Sequence, residues 1–153
     1  MSDKMKMRQS IKDDEYWTPS GLYQDLCNKY DIDPILDVAA NEYNCKTFYY
    51  LEDALHEEWL IEDNQIVSVW CNPPHSLNSE FVARAEVQHL RYGMDIMMII
   101  PANFGGTKTF HRYIEGKREY HFVEGRPRFL KDGVLSEYPS RNAYIIILWR
   151  KNP

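Results

Sequence analysis

The segment Cys71-Asn72-Pro73-Pro74-His75 comes directly after the apolar run Ile66-Val67-Ser68-Val69-Trp70. A strand must stop there, because proline has no N–H for a ladder and its φ is fixed. A side-chain amide and backbone carbonyls are then held rigidly at a strand end, with an aromatic ring beside them. Such a set suits a planar amine. The lone pair of an adenine or cytosine amino group is delocalised into its ring and must be drawn toward sp³ geometry before it attacks a methyl donor. The side-chain carbonyl of Asn72 and the backbone carbonyl of Pro73 would each accept one N–H of that amine. Pro74 would keep the turn stiff, and His75 would stack on the base, a contact worth about 1–3 kcal/mol for aromatic side chains. No strong base is needed if the proton leaves after transfer. The plainer reading is a Pro-Pro turn whose asparagine caps a loop.

Two carboxylates stand where they could hold a second molecule. Asp37 falls at the end of the short apolar run Ile35–Ala40, and open α/β sheets bind ligands at the carboxyl ends of strands. There it can bind an ammonium group or ribose hydroxyls. Asp53, in Leu51-Glu52-Asp53-Ala54-Leu55, suits a ribose or adenine contact. Each reads equally well as an ordinary solvated acid. Metal binding is not expected: Cys27, Cys45 and Cys71 show no CxxC spacing, and two prolines separate Cys71 from His75. His56, His89, His111 and His121 read as structural or surface groups.

The positioning elements are read from periodicity. Thr18-Pro19 reads as an N-cap and first helical residue, with Leu22, Tyr23, Leu26, Cys27 and Tyr30 on one helix face and Asp33-Pro34 as the break. Strands are expected over Ile35–Ala40 and Ile66–Asn72, with a shorter one at Thr47–Tyr50. Asn78 or Ser79 would cap a helix carrying Phe81, Val82, Ala85 and Leu90 and ending at Gly93. Asp95–Ile100 is nearly continuous in apolar residues, as a strand covered on both faces would be. A helix with Phe110, His111 and Ile114 comes after Gly105-Gly106-Thr107. Tyr120–Val123 and Tyr144–Trp149 complete the strands, and Gly125–Ser140 reads as a long basic loop. The class is α/β: a mostly parallel sheet with helices on both faces and an antiparallel C-terminal strand pair.

The chain has 153 residues, 44% apolar and 14% aromatic, which fits one globular domain. Residues 1–15 read as a flexible arm and 16–153 as the single domain. No apolar run suits a membrane span or a signal-peptide core, so an intracellular protein without a membrane partner is expected. The net charge of −5 is unevenly spread. Residues 1–104 hold 8 Lys/Arg against 18 Asp/Glu, whereas 105–153 hold 10 against 5. The basic third, with Arg126, Arg128, Lys131 and Arg141, can present a phosphate-binding face on an acidic protein. Ordinary solvated charge is the competing reading.

Taken in order, Thr18-Pro19, Leu36-Asp37-Val38-Ala39-Ala40, Asn44-Cys45-Lys46, Glu52-Asp53-Ala54-Leu55, Trp59 and Val69–Pro74 resemble the small viral N6-adenine DNA methyltransferases of the Dam type. The resemblance continues through Ile100-Pro101-Ala102, Phe110-His111, Phe122–Phe129 and Pro139-Ser140 and so spans nearly the whole chain. It implies a Rossmann-like fold, S-adenosylmethionine as cofactor, and double-stranded DNA as partner, with GATC the family-level expectation for the sequence read. Asn72, Pro73, Pro74 and His75 fall on the catalytic Asn-Pro-Pro-aromatic motif. Thr18, Pro19, Asp37, Ala39, Asp53 and Asn72 fall to the cofactor, with Thr18-Pro19 on the segment that closes over it. Arg126, Arg128, Lys131 and Arg141 fall to DNA. A viral protein of this kind would act in the host cytoplasm, and a homodimer is compatible with it.

Two features depart from the pattern. His75 stands where Tyr or Phe is usual, and its imidazole ring is smaller, polar and titratable near pH 6.5. Ala39-Ala40-Asn41 replaces the Gly-rich turn of many methyltransferases, as it does in small viral members. No separate target-recognition domain is expected, so Gly125–Ser140 is the candidate reader. The acceptor pair would equally serve RNA adenine, cytosine N4 or a protein glutamine, and a non-catalytic binding module is the alternative of another class.

Overall fold

The computed structural model describes residues 17–131, 133–136 and 138–151. The arm expected over 1–15 lies outside the described residues. The elements are α1 (Ser20–Tyr30), β1 (Leu36–Asp37), β2 (Tyr49–Tyr50), β3 (Val69–Cys71), α2 (Asn78–Tyr92), β4 (Ile96–Pro101), α3 (Lys108–Tyr113), β5 (Glu119–Phe122), β6 (Leu130–Lys131), β7 (Val134–Leu135) and β8 (Tyr144–Trp149).

Six strands form one sheet in the order β2-β1-β3-β4-β8-β5. The pairs β1–β2, β1–β3 and β3–β4 are parallel. Strand β8 is antiparallel to both β4 and β5. The C-terminal pair is therefore antiparallel as expected, and β8 also slots between β4 and β5, which periodicity does not show. From β1 the chain crosses to β2 on one side and then returns to β3 on the other. That reversal places a crevice at the carboxyl ends of β1 and β3, where such sheets bind ligands.

Side-chain alternation along the central strands explains the three layers. Ile96, Met98 and Ile100 of β4, with Ile145, Ile147 and Trp149 of β8, pack with Phe81, Val82 and Ala85 of α2 and Phe110 of α3. Met97, Ile99, Ile146 and Leu148 face the opposite way, onto Leu26, Cys27 and Tyr30 of α1. Both strands are buried along their full length, as central strands covered on two faces must be. A buried charge is paired across the first layer: Arg118 holds the Glu86 carboxylate, which also accepts from the Trp149 indole.

Several boundaries differ from the sequence expectation. The strand over Ile66–Asn72 forms ladder pairs only at Val69–Cys71, and that over Ile35–Ala40 only at Leu36–Asp37. Pro19, not Thr18, occupies the cap position of α1, with φ −60° and ψ 142°, and no side chain caps the helix. Asn78 is the first residue of α2 rather than its cap, because a 3-10 turn over His75–Leu77 already leads the backbone into the helix. Gly93 ends α2 in the left-handed region, φ 79°, where glycine carries no Cβ penalty. The Gly125–Ser140 segment contains the β6–β7 hairpin, with Leu130 opposite Leu135 and Lys131 opposite Val134. Asp132-Gly133 is the short-range signal for such a turn, and Gly133 has φ +81°.

Candidate functional site

The Asn72–His75 turn sits at the carboxyl edge of the sheet. Strand β3 ends at Cys71, and the two prolines then carry the chain away without ladder donors. Pro73 and Pro74 are buried. The Pro74 carbonyl accepts the Leu77 N–H at 2.9 Å, which closes the 3-10 turn carrying His75. The side chain of Asn72 is half-buried, and its Nδ2 donates to Thr18 Oγ1 at 2.9 Å. This contact joins residues 54 apart in the chain and explains why Thr18 is not spent on capping α1.

On one side of this turn lies the crevice between β1 and β3. Thr18, Asp37, Ala39 and Asn72, all expected to meet a cofactor, line it together. Trp17, Asn44, Lys46 and Trp70 complete the wall. The Asp37 side chain is only 2% exposed. Its Oδ1 accepts the Ala39 N–H at 3.2 Å and its Oδ2 the Lys46 N–H at 3.0 Å. Backbone donors thus hold the carboxylate in place. The Lys46 ammonium donates to the Asn44 carbonyl at 3.4 Å. Burial pushes its pKa below the ordinary lysine value, and the charge of Asp37 opposes that shift. Asn41 and Asn44 order the turn they bracket: Asn41 Oδ1 accepts the Tyr43 and Asn44 N–H groups, and Asn44 Oδ1 accepts the Asn41 N–H. The crevice encloses about 10 Å³, room for about one water.

On the other side the space is far larger. A cavity of about 880 Å³ opens between His75 and the hairpin, lined also by Phe129, Lys131, Tyr138, Arg141 and Tyr144. His75 also borders a second cavity of about 290 Å³, with Asn78, Asn103, Thr107 and Asn142. The His75 ring lies 6.1 Å from that of Tyr144, tilted 47°. Lys131 and Arg141, expected at a phosphate face, thus come together around one cavity with His75. Exposed Arg126 and Arg128 stand on the strand-to-hairpin connection and do not line it.

Pro19 and Asp53 do not line the crevice either. Asp53 is within hydrogen-bond distance of His56 Nδ1, 2.8 Å away. His89 Nδ1 lies 2.7 Å from the Met94 carbonyl, and His121 stacks on Tyr30. Among the described residues no three His, Cys, Asp or Glu side chains converge to hold a metal ion, and no helix is long and apolar enough to cross a membrane. Sequence reasoning missed Trp17, Asn44, Lys46 and Trp70. Only Lys46 carried a signal, a cation nine residues after Asp37 in a loop between two strand ends. Trp70 ends the apolar run Ile66–Trp70, and its crevice role comes from alternation across the sheet.

Residues 4–152 match the family model described as DNA N-6-adenine-methyltransferase (Dam). No curated protein matches the chain.

Proposed function

Because the chain belongs to the Dam family of DNA N-6-adenine-methyltransferases, we propose that it methylates adenine N6 in double-stranded DNA, with S-adenosylmethionine as donor. The observation that carries this reading is the placement of Asn72-Pro73-Pro74-His75 between a buried acid–base crevice and a cavity edged with cations. The sheet order, with its reversal between β1 and β3, supports a Rossmann-like methyltransferase fold formed by residues 16–153 as one domain.

The crevice suits the cofactor chemically. A buried carboxylate beside an ammonium group complements an amino-acid headgroup, which carries one of each. Asp37 would take the ammonium end and Lys46 the carboxylate end, with Trp17 and Trp70 as apolar walls. When bound, S-adenosylmethionine supplies a methyl group on a positively charged sulfur. An enclosed volume of about 10 Å³ is far below the roughly 300–1,000 Å³ of ligand sites. Admission of the cofactor therefore needs a wall to move.

The chain's own residues then position the acceptor. The target adenine leaves the duplex, as bases must to reach such a site. Asn72 Oδ1 and the Pro73 carbonyl accept its two N–H bonds and localise the lone pair on nitrogen. His75 stacks on the ring, and Lys131 and Arg141 neutralise phosphates nearby. The amine nitrogen would bond the methyl carbon as its bond to sulfur breaks, the sulfur leaving as a neutral thioether, and would give up one proton to solvent afterwards, so positioning and exclusion of water carry the rate. GATC is the expected sequence.

The test uses methyl-labelled donor and duplexes with and without GATC, digested to nucleosides after reaction. Label is expected in N6-methyladenine from the GATC duplex. Label in N4-methylcytosine, or in RNA or protein only, would replace the acceptor. Cofactor binding with no transfer to any of them would leave the binding-module reading.

A further inference from the structure

We propose that Thr18 is a positioning residue: its hydroxyl anchors the Asn72 side-chain amide, and the Trp17–Leu130 bridge ties that anchor to the basic hairpin. The inference rests on the reading that Asn72 holds the substrate amine. A side-chain amide has two ends of nearly equal size and opposite hydrogen-bonding character. Only the Oδ1 end can accept an amine N–H, and an amide turned over would set donor against donor. Thr18 Oγ1 accepts from Asn72 Nδ2 at 2.9 Å. With the donor end on Thr18, the acceptor end is turned away from it; a hydroxyl can donate as well as accept, so what the bond fixes is the position of the side chain. Thr18 is 2% exposed, so bulk water does not compete, and its branched Cβ restricts χ1.

The backbone on both sides of Thr18 is fixed. The Trp17 N–H donates to the Leu130 carbonyl at 2.6 Å, and the Leu130 N–H donates back at 2.8 Å. After it, Pro19 opens α1 and its carbonyl accepts the Tyr23 N–H at 3.0 Å. The Trp17 ring also lies 3.3 Å from where a Cβ on Gly133 would stand, at the hairpin turn. A displacement of the hairpin is therefore a displacement of Trp17, and Thr18 is the next residue. DNA seated against Lys131 and Arg141 would act on the same hairpin, so binding and the set of Asn72 are mechanically joined through two residues.

The test compares Thr18→Val, which keeps the branched shape and removes the hydroxyl, with Thr18→Ser, which keeps the hydroxyl. Thr18→Val is expected to lower kcat about 10- to 100-fold, the scale of misplacing a reacting group. KM for DNA and the cofactor Kd should stay within about threefold, less than half the energy of a single hydrogen bond to a charged group. Thr18→Ser is expected to restore kcat to within the same factor. The side-chain amide resonances of Asn72, assigned by their loss in Asn72→Ala, should move in Thr18→Val and stay in Thr18→Ser. Should Thr18→Val fail to fold, Thr18→Ala takes its place with the same expectations. Wild-type kcat in the hydroxyl-free variant, a loss confined to cofactor affinity, or unmoved Asn72 resonances would overturn the proposal. If the wild-type protein transfers no methyl to DNA, the functional reading fails, while the Asn72 resonances still decide the contact with Thr18.

Discussion

On the Asp37 side of the Asn72–His75 turn, charge is buried and held by backbone donors; on the hairpin side, charge stands in solvent around an open cavity. Asp37 takes two backbone N–H groups and faces a cation whose pKa burial has lowered. The hairpin has two-residue strands, and Val134 and Tyr138 are 70% and 71% exposed. The Pro127 carbonyl closes its base by accepting the Ser140 N–H at 2.9 Å, and the hairpin meets the rest of the fold through Trp17 and through buried Phe129, whose ring lies 4.6 Å from that of Tyr144. The difference matches the two ligands proposed. A small cofactor is the same at every turnover, so its contacts can be built in and desolvated. A duplex arrives by long-range attraction, which works through exposed charge, and it must be accommodated by a part that can shift.

Asn72 stands at the boundary, and removing it is the severest test of the division. Asn72→Ala is expected to lower methyl transfer by about 10²–10³-fold, the usual effect of deleting one preorganised polar group at a reacting centre. Cofactor affinity, read by calorimetry, should change little, because Asp37 and Lys46 remain. A cofactor loss of similar size would move Asn72 wholly to the crevice side. The hairpin side is probed by Lys131→Ala with Arg141→Ala. The double variant should bind duplex about tenfold more weakly near physiological salt and lower the log–log salt slope by about 2, one unit per phosphate contact. Cofactor binding should be unaltered. If it weakens in parallel, the two regions are not separable and the comparison breaks.

The sequence was legible where local physics decides the outcome. The six residues Tyr144–Trp149 form β8 with the expected limits, and Gly93 ends α2 as a left-handed cap. The Asn-Pro-Pro stop was visible because two prolines cannot join a ladder. The hidden features depend on distant partners. Thr18 has the local chemistry of a helix cap, and only the arrival of Asn72 redirects its hydroxyl. Trp70 lies on the crevice because of strand alternation, which marks no residue by type. The hairpin did carry a local signal in Asp132-Gly133, yet it sat within a stretch whose charge suggested an irregular loop. Slotting β8 between β4 and β5 is a choice among sheet orders that strand patterns leave equal.

The smallest expected effect concerns how dry the crevice side is. Tyr23 of α1 meets Trp70, a crevice wall, edge-on with ring centroids 5.0 Å apart and planes at 82°. Burial raises the Tyr23 pKa above its ordinary value, and Cys27, Asp37 and Asp33 add to the rise. The folded chain therefore keeps this proton at a pH where the unfolded chain loses it. Between about pH 10, the ordinary tyrosine value, and the raised one, the folded state binds more protons, so stability falls as pH rises. Below that window the contribution is fully present. Tyr23→Phe removes this alkaline loss, and at neutral pH it costs no more than about 1 kcal/mol, a single hydrogen bond. Cys27, whose thiol burial also pushes up, acts in the same direction and stays in the variant, so part of the alkaline limb persists. Lys46 has the opposite sign, its lowered pKa adding stability as pH rises toward about 10.4. Denaturant midpoints for wild type and Tyr23→Phe from pH 7 to 11 isolate the Tyr23 share as a gap that shrinks or reverses above pH 10. A constant gap across the range would mean that water reaches the ring, and the crevice side would then be less closed than its geometry indicates.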